Sequence, residues 1–353
     1  MSERRSVDVN LFVYNGEATV AAAIEAVLAQ TWQQLTLTVI DNGSTDRTAA
    51  ILADYAGAGR VRIRRNRVNI GPVQNCQKAF WEGDADFVMP KTADDLIAPD
   101  FIERIMDQLL RHPDCAMCHA GGLVFSGAGR LQMEYPADHR LLATGDDPIA
   151  RACHVMTRYT SAPSFWGIYR RAAVDRLARI AYRAGWDHVL LAELALYGEI
   201  RHVPAPLFWR RDGGKPVGQL AQGCTEAMQR GLSLDDRFAE HRWRTPLITT
   251  AYGHLELFAQ ARLPEWARRA LMERAVAIFR TRWEPLLQQE AAAFNGVLPE
   301  LMARVNDAGP VLAGWMARQL REAMSAIEAI LPDQDFSRAW GEMAAGRRLL
   351  QES

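Results

Sequence analysis

The chain has 353 residues, 49% of them apolar, and 41 basic against 42 acidic side chains give a formal charge of −1. That length exceeds one compact core and falls short of three, the apolar content excludes global disorder, and the balanced charge argues against a dedicated nucleic-acid binder. Only Lys78, Lys91 and Lys215 are lysines, so the other 38 basic residues (41 − 3) are arginine, a bias read as background composition.

In chain order, residues 7–13 (VDVNLFV) read as a buried strand, followed by a turn at Tyr14-Asn15-Gly16-Glu17 and a helix over about 19–30. Residues 35–40 form a second strand ending at Asp41-Asn42-Gly43-Ser44, then a helix runs over 45–55 and a third strand over 60–64. A helix over 75–82, a strand over 86–90 and a helix over 99–112 follow, then strands and a loop within 115–135 and a short strand over 164–170. Residues 187–198 carry Leu190, Leu191, Leu194 and Ala195 at helical spacing and predict an amphipathic helix. Residues 199–209 return to extended structure, and a Gly-rich break covers 211–216. Beyond 217 the strand signals vanish and prolines punctuate helical periodicity, several at first helical turns. Alternating strands and helices indicate an α/β fold with a mostly parallel sheet flanked by helices, followed by an all-α appendage. The boundaries expected are 1–216, with halves at about 1–114 and 115–216, and 217–353.

No apolar run is long enough to span a bilayer. MSERRSVDVNLFVYN carries neither a secretory apolar core nor a small-residue cleavage site, so a cytoplasmic location is expected, with the inner face of the cytoplasmic membrane as a variant of it. Five scattered cysteines suit reduced thiols.

Three polar clusters fall at predicted strand C-termini: Tyr14/Asn15/Glu17, Asp41/Ser44 and Asp94/Asp95. In a doubly wound sheet such ends lie side by side on one crevice. A carboxylate there can accept from a base or ribose hydroxyl, and adjacent carboxylates can hold a divalent cation that bridges phosphate oxygens. The layout suggests a metal–nucleotide site without a P-loop. Asp41-Asn42-Gly43-Ser44 also reads as a turn with a helix N-cap, and Asp94-Asp95 as capping residues. The residues alone leave both readings open.

Taken together, residues 9–17 (VNLFVYNGE), 39–46 (VIDNGSTD), 69–79 (NIGPVQNCQKA) and 92–101 (TADDLIAPDF) resemble the successive motifs of family-2 glycosyltransferases. The likeness continues through 165–171 and 186–211 and covers about residues 7–215, leaving out the tail. It implies a GT-A fold and an inverting enzyme using a nucleotide sugar. By the same resemblance Tyr14, Asn15 and Glu17 line the base pocket, and Asp41 contacts the base with Ser44 nearby. Asn69, Gly71, Asn75 and Lys78 flank the nucleotide. Asp94 and Asp95 bind a divalent cation, Mn2+ or Mg2+, Asp187 is the general base, and Arg210 and Arg211 lie in a loop that closes over the diphosphate. Two positions depart from the family: Phe12 stands where proline is usual, and Thr92 replaces the first carboxylate of Asp-x-Asp-Asp.

The chemistry implied is attack of an acceptor hydroxyl on the anomeric carbon as a carboxylate removes its proton, with a nucleoside diphosphate leaving. The acceptor expected is a glycan, a lipid-linked saccharide or another glycoconjugate, UDP is the favoured carrier, and no nucleic acid is involved. Competing readings are a nucleotidyltransferase of related fold and a catalytically silent scaffold, the latter sustained by Thr92. Asp187 also reads as the N-cap of its helix.

Other signals carry less. Cys115-Ala116-Met117-Cys118-His119 matches a haem-attachment pattern but reads as a buried strand. Asp212-Gly213-Gly214-Lys215 lacks P-loop spacing and reads as a lid or linker. Trp166 and Trp186 could stack on sugar rings, though burial is the commoner fate of tryptophan. Residues 264–283 form a basic amphipathic helix whose stripe suits packing within a bundle. A peripheral membrane contact or a homo-oligomer interface through the tail is the alternative.

Overall fold

The computed structural model describes residues 5–57, 59–136, 140–158, 164–178, 185–212, 245–339 and 341. The chain separates into two compact units, one of Met1–Ile180 with Leu190–Pro216 and the other of Ala181–Val189 with Val217–Ser353.

The first unit is built on a nine-stranded mixed sheet. Its strands are β1 (Val7–Val13), β2 (Leu35–Asp41), β3 (Val61–Arg65), β4 (Phe87–Thr92), β5 (Leu96–Ile97), β6 (Cys115–Phe125), β7 (Leu131–Glu134), β8 (Gly167–Arg170) and β9 (Glu199–Arg211). The order is β3-β2-β1-β4-β8-β6-β9-β5, with β7 paired to β6. From the pairings, β1, β2, β3, β4, β6 and β9 run one way, and β5, β7 and β8 run the other. The C-terminal ends of those six strands therefore lie along one edge, which is where an open α/β sheet binds ligand.

The flanking helices are α1 (Val20–Leu28), α2 (Thr48–Asp54), α3 (Pro72–Trp81), α4 (Phe101–Arg111), α5 (Pro148–Arg158), the single turn α6 (Arg171–Val174) and α7 (Trp186–Tyr197). The core follows from the alternation of the strands. Val7, Val9, Leu11 and Val13 of β1 and Leu35, Leu37 and Val39 of β2 pack with Val20, Ala23, Ile24 and Val27 of α1 and with Ile102, Ile105, Met106 and Leu109 of α4. These side chains are almost wholly excluded from water. Burial of each large aliphatic side chain stabilises by about 1.5–3 kcal/mol. Phe12, in the position where proline is usual, leans on Trp166 with ring centroids 6.1 Å apart, and Trp166 in turn stacks on Phe208. Trp166 thus belongs to an aromatic cluster of the core.

Several expectations need correction. α5 falls in a stretch to which the sequence assigned no element. α3 starts at Pro72, three residues before the expected Asn75, because proline suits a first helical turn and Gly71 enters it at φ 91°. α7 is not amphipathic along its second half: Leu190 through Leu196 are all buried, Glu193 included. Arg210 and Arg211 lie within β9 rather than in a loop. The Cys115/Cys118 segment is strand β6, where both thiols are buried and donate to main-chain carbonyls, and burial pushes Cys115 up to about 11. The expected lid residues 213–216, Lys215 among them, lie outside the described residues.

In the second unit the described part of the tail is helical: α8 (Pro246–Gln260), α9 (Glu265–Asp307) and α10 (Pro310–Ile330). Pro246 and Pro310 occupy first turns, but Pro285 and Pro299 lie inside α9. Trp283 leaves helical geometry at φ −135°, ψ 17°, because the Pro285 ring crowds the turn before it and removes an N–H from the ladder. The Glu290 carboxylate accepts from the free main-chain N–H groups of Leu247 and Ile248 at the start of α8. Buried Ala267, Leu271, Ala275 and Phe279 form the stripe expected of residues 264–283, and Trp266 and Arg269 face solvent. No described helix is long and apolar enough to cross a membrane.

Candidate functional site

The C-terminal edge of the sheet gathers the loops after β1, β2, β3 and β4 and the end of β9. Asp41 closes β2 and is 1% exposed. Its Oδ1 accepts from the Ser44 main-chain N–H at 2.9 Å, and Arg65, its register partner on β3, brings Nη1 within 3.2 Å of Oδ2. Arg65 also donates to the Ser44 carbonyl at 2.9 Å, so one guanidinium holds both ends of the Asp41–Ser44 turn. Gly43 supplies the φ of 72° that this turn needs, with the Val68 and Asn69 backbone against it.

The loops after β1 and β2 are laced together. Ser44 Oγ accepts from the Asn15 N–H at 2.9 Å and Thr48 Oγ1 from the Gly16 N–H at 2.8 Å. Asn15 Oδ1 accepts from the Thr45 N–H at 2.8 Å, and Glu17 and Asp46 exchange bonds with the Arg47 and Glu17 amides. Asn15 adopts φ 50°, a left-handed conformation that asparagine tolerates better than most residues. Asn15, Glu17 and Ser44 thus spend polar groups on joining loops, while Tyr14 stands 37% exposed on the same edge.

A second network backs Asp41 from the β3–α3 side. Asn42 donates to Asn69 Oδ1 at 2.8 Å and to the Gly71 carbonyl, and its own Oδ1 accepts from Asn66 Nδ2 at 2.8 Å and from the Ile70 N–H. Asn66 also donates to Asn75 Oδ1, Asn75 donates to the Ile40 carbonyl, and the Lys78 ammonium donates to Asn66 Oδ1. Asn69, Asn75 and Lys78 are therefore brought together, as parts of one buttress behind the turn. Asn42 and Asn66, which the sequence reading did not single out, are its centre.

At the end of β4 stands the turn Thr92-Ala93-Asp94-Asp95. Asp94 is exposed, and its Oδ1 accepts from Thr19 Oγ1 at 3.3 Å. Asp95 is 7% exposed, and both its oxygens are engaged, Oδ2 by Thr92 Oγ1 at 2.8 Å and Oδ1 by the Arg211 N–H at 3.0 Å. Burial raises its carboxyl against the opposing pull of Lys91. Lys91, 1% exposed, donates to the carbonyls of Thr92 and Asp95, and burial draws its ammonium down to about 8 against the attraction of the two aspartates. Arg211 Nε reaches the Asp94 carbonyl at 3.1 Å, and its guanidinium lies over the Phe125 ring. Arg210 donates to the Tyr135 hydroxyl at 3.0 Å, which raises the Arg210 pKa further.

Among the described residues no group of three or more His, Cys, Asp or Glu side chains could hold a metal ion. The donor set on this turn, an exposed and a buried carboxylate, still suits a divalent ion that takes its other oxygens from diphosphate and water.

Asp187 lies in the first turn of α7. Its neighbour His188 is buried, with Nδ1 2.7 Å from His254 Nε2 of α8, and burial pulls the His188 imidazole down to about 3. The burial keeps the His188 imidazole neutral, and both rings pack on Phe279.

The signals for the missed residues were present but mute. Arg65 is opposite Asp41 only through strand register, and Tyr135 reaches Arg210 only through the β6–β7 hairpin.

Comparison with known proteins adds a family likeness. Residues 9–145 match the model of "Glycosyl transferase family 2". EpsE of Bacillus subtilis (strain 168), named as a candidate glycosyltransferase, is 28% identical over 131 residues, covering 36% of this chain and 47% of its own. The uncharacterised glycosyltransferase YibD of Escherichia coli (strain K12) is 27% identical over 192 residues, 53% of this chain and 55% of its own. The chain thus spans about half the length of these curated relatives. Among solved structures, residues 1–349 of S. aureus TarS, crystallised in complex with UDP-GlcNAc, superpose with a TM-score of 0.56 at 15% identity, over 94% of this chain and 93% of that one. That likeness speaks to the fold, which is GT-A-like. Residues 9–145, the stretch that runs from β1 past β7, are thus similar to glycosyl transferase family 2.

Proposed function

We propose that the chain is an inverting glycosyltransferase that moves a sugar from a nucleoside-diphosphate sugar, with UDP as the carrier, to a hydroxyl of a glycan, lipid-linked saccharide or other glycoconjugate. The observation that carries this reading is the family 2 match over the strands whose C-terminal ends bring Tyr14, Asp41 and the Asp94/Asp95 turn to one edge. The TarS complexes with UDP and UDP-GlcNAc support the choice of carrier, as a property of a protein of like fold.

In this reading residues 1–216 are the catalytic domain, with a nucleotide half to about 114 and an acceptor half beyond, and 217–353 form a helical domain. Tyr14 offers its ring to the base, and the Asp41 carboxylate accepts from a base N–H while Arg65 fixes its orientation. Asn15, Glu17, Ser44, Asn69, Asn75 and Lys78 keep the pocket walls in place. Asp94 and Asp95 would hold Mn2+ or Mg2+, which when bound supplies positive charge to the leaving diphosphate. Arg210 and Arg211 add fixed cations on the same edge. Asp187 takes the proton of the acceptor hydroxyl as it attacks the anomeric carbon, and a single displacement inverts that centre.

The test is a thermal-shift panel of UDP-, GDP- and dTDP-sugars with and without Mn2+, followed by transfer and hydrolysis assays on the hits. Asp187→Asn should keep nucleotide binding and lose transfer. Near-normal turnover in that variant removes Asp187 from the base role, and the absence of any nucleotide-sugar shift defeats the reading as a whole.

A further inference from the structure

The two carboxylates of the Thr92–Asp95 turn are met by two cations of the same chain. Lys91 comes from inside, its ammonium donating to the Thr92 carbonyl at 2.9 Å and to the Asp95 carbonyl. Arg211 comes from β9, its main-chain N–H donating to Asp95 Oδ1 and its guanidinium Nε to the Asp94 carbonyl. The turn therefore carries no net charge: Asp94 and Asp95 against Lys91 and Arg211. Thr92, standing where the resemblance expects a third carboxylate, supplies a hydroxyl to Asp95 instead.

Lys91 is a costly residue to place here. An ammonium at 1% exposure has lost its water, and an apolar side chain would fill a β4 position more cheaply. Its ammonium donates to the Thr92 and Asp95 carbonyls rather than to either carboxylate, so it shapes the turn and lends it charge at once. The consequences for the two aspartates differ. Asp95 is buried with both oxygens engaged, and Asp94 is the exposed one.

We propose that Lys91 is a positioning residue that sets the divalent-ion affinity of the donor site: its buried ammonium holds the turn with Asp94 turned outward and offsets the charge of Asp95 from the protein side. The role rests on the donor-site reading given above. A divalent ion approaching from solvent then meets a neutral turn and binds weakly until a diphosphate contributes its own oxygens and charge. Removing the ammonium leaves the turn one unit more negative at close range, where Coulomb attraction for a doubly charged ion is strong.

The experiment titrates MnCl2 alone into the full chain, by calorimetry and by the loss of the free Mn2+ electron-resonance signal. Wild-type protein should bind weakly, and Lys91→Met should bind about tenfold or more tightly. Asp94→Asn in the Lys91→Met background should abolish that gain. If Lys91→Met does not fold, as judged by circular dichroism, Lys91→Gln keeps N–H donors for the carbonyls, removes only the charge, and carries the same expectation. Unchanged Mn2+ affinity in a folded charge-removing variant overturns the proposal, as does tight Mn2+ binding by the wild type. A parallel titration with UDP separates the two readings: no UDP binding in any of these proteins sinks the donor-site reading, while the Mn2+ result still decides the role of Lys91.

Discussion

Glu193 allows a stability test that needs no ligand. It lies in the buried half of α7 at 6% exposure, with Oε1 accepting from the Ala178 N–H at 2.9 Å and from the Tyr197 hydroxyl at 3.3 Å. Burial lifts its carboxyl from 4.5 to about 7, and the two hydrogen bonds oppose this only in part. The folded chain therefore holds a proton that the unfolded chain releases. Its contribution to stability is complete below about pH 4.5 and is lost as the pH rises through about 7. The gap between the two values corresponds to roughly 3 kcal/mol. Glu193→Gln keeps a carbonyl oxygen for both donors and cannot ionise. Urea denaturation of both proteins from pH 4 to pH 8 should show near-equal stability at the acid end. At the alkaline end the variant should be ahead by about 3 kcal/mol. A constant difference across that range would refute the reasoning, because it would mean that Glu193 titrates alike in both states.

Two further perturbations address the edge of the sheet. Asn42→Ala strands buried donors and acceptors of Asn66, Asn69 and Ile70, and should cost about 3 kcal/mol and lower the melting temperature measurably by calorimetry; a neutral effect would mean the network carries no stability. Arg65→Ala removes a half-exposed partner of Asp41 and should cost less than about 1 kcal/mol of stability, yet weaken UDP binding several-fold by freeing the carboxylate; unchanged UDP affinity would take Arg65 out of the pocket.

The sheet was legible in the sequence because alternating apolar strands with polar residues at their ends leave few topologies open. The clusters at Tyr14, Asp41 and Asp94 fall on one edge as the alternation required. What each polar residue does there was less legible. Asn69, Asn75 and Lys78 carry the motif of a nucleotide flank, yet their bonds run to Asn42 and Asn66, a destination fixed by the path of the chain between Arg65 and Pro72. Lys91 stood out as a scarce residue type placed just before the acidic pair. Its place under the acidic turn depends on the end of β4 folding back on itself. α5 went unassigned because Ile149, Ala152, Val155 and Met156 are interleaved with Arg151, Cys153 and His154, which blurs the apolar period. α7 misled in the opposite sense: a helix buried on every side from Leu190 to Leu196 shows no polar face to read.

In the proposed function, where the loops after β1 and β2 line the base pocket, their lacing bears on selectivity among bases. Ordering a loop at the moment of binding draws on the ligand's own interaction energy, whereas here that ordering belongs to folding. A wall tied by Ser44, Thr48, Asn15 and Glu17 has little freedom to shift toward a base of different outline. A base that offers no donor to the Asp41 carboxylate would leave its buried Oδ2 with Arg65 alone, and rigid surroundings would give no relief. Discrimination in such a pocket comes from refusal to adapt, and mutations that loosen the lacing should widen the range of nucleotides accepted before they weaken the preferred one.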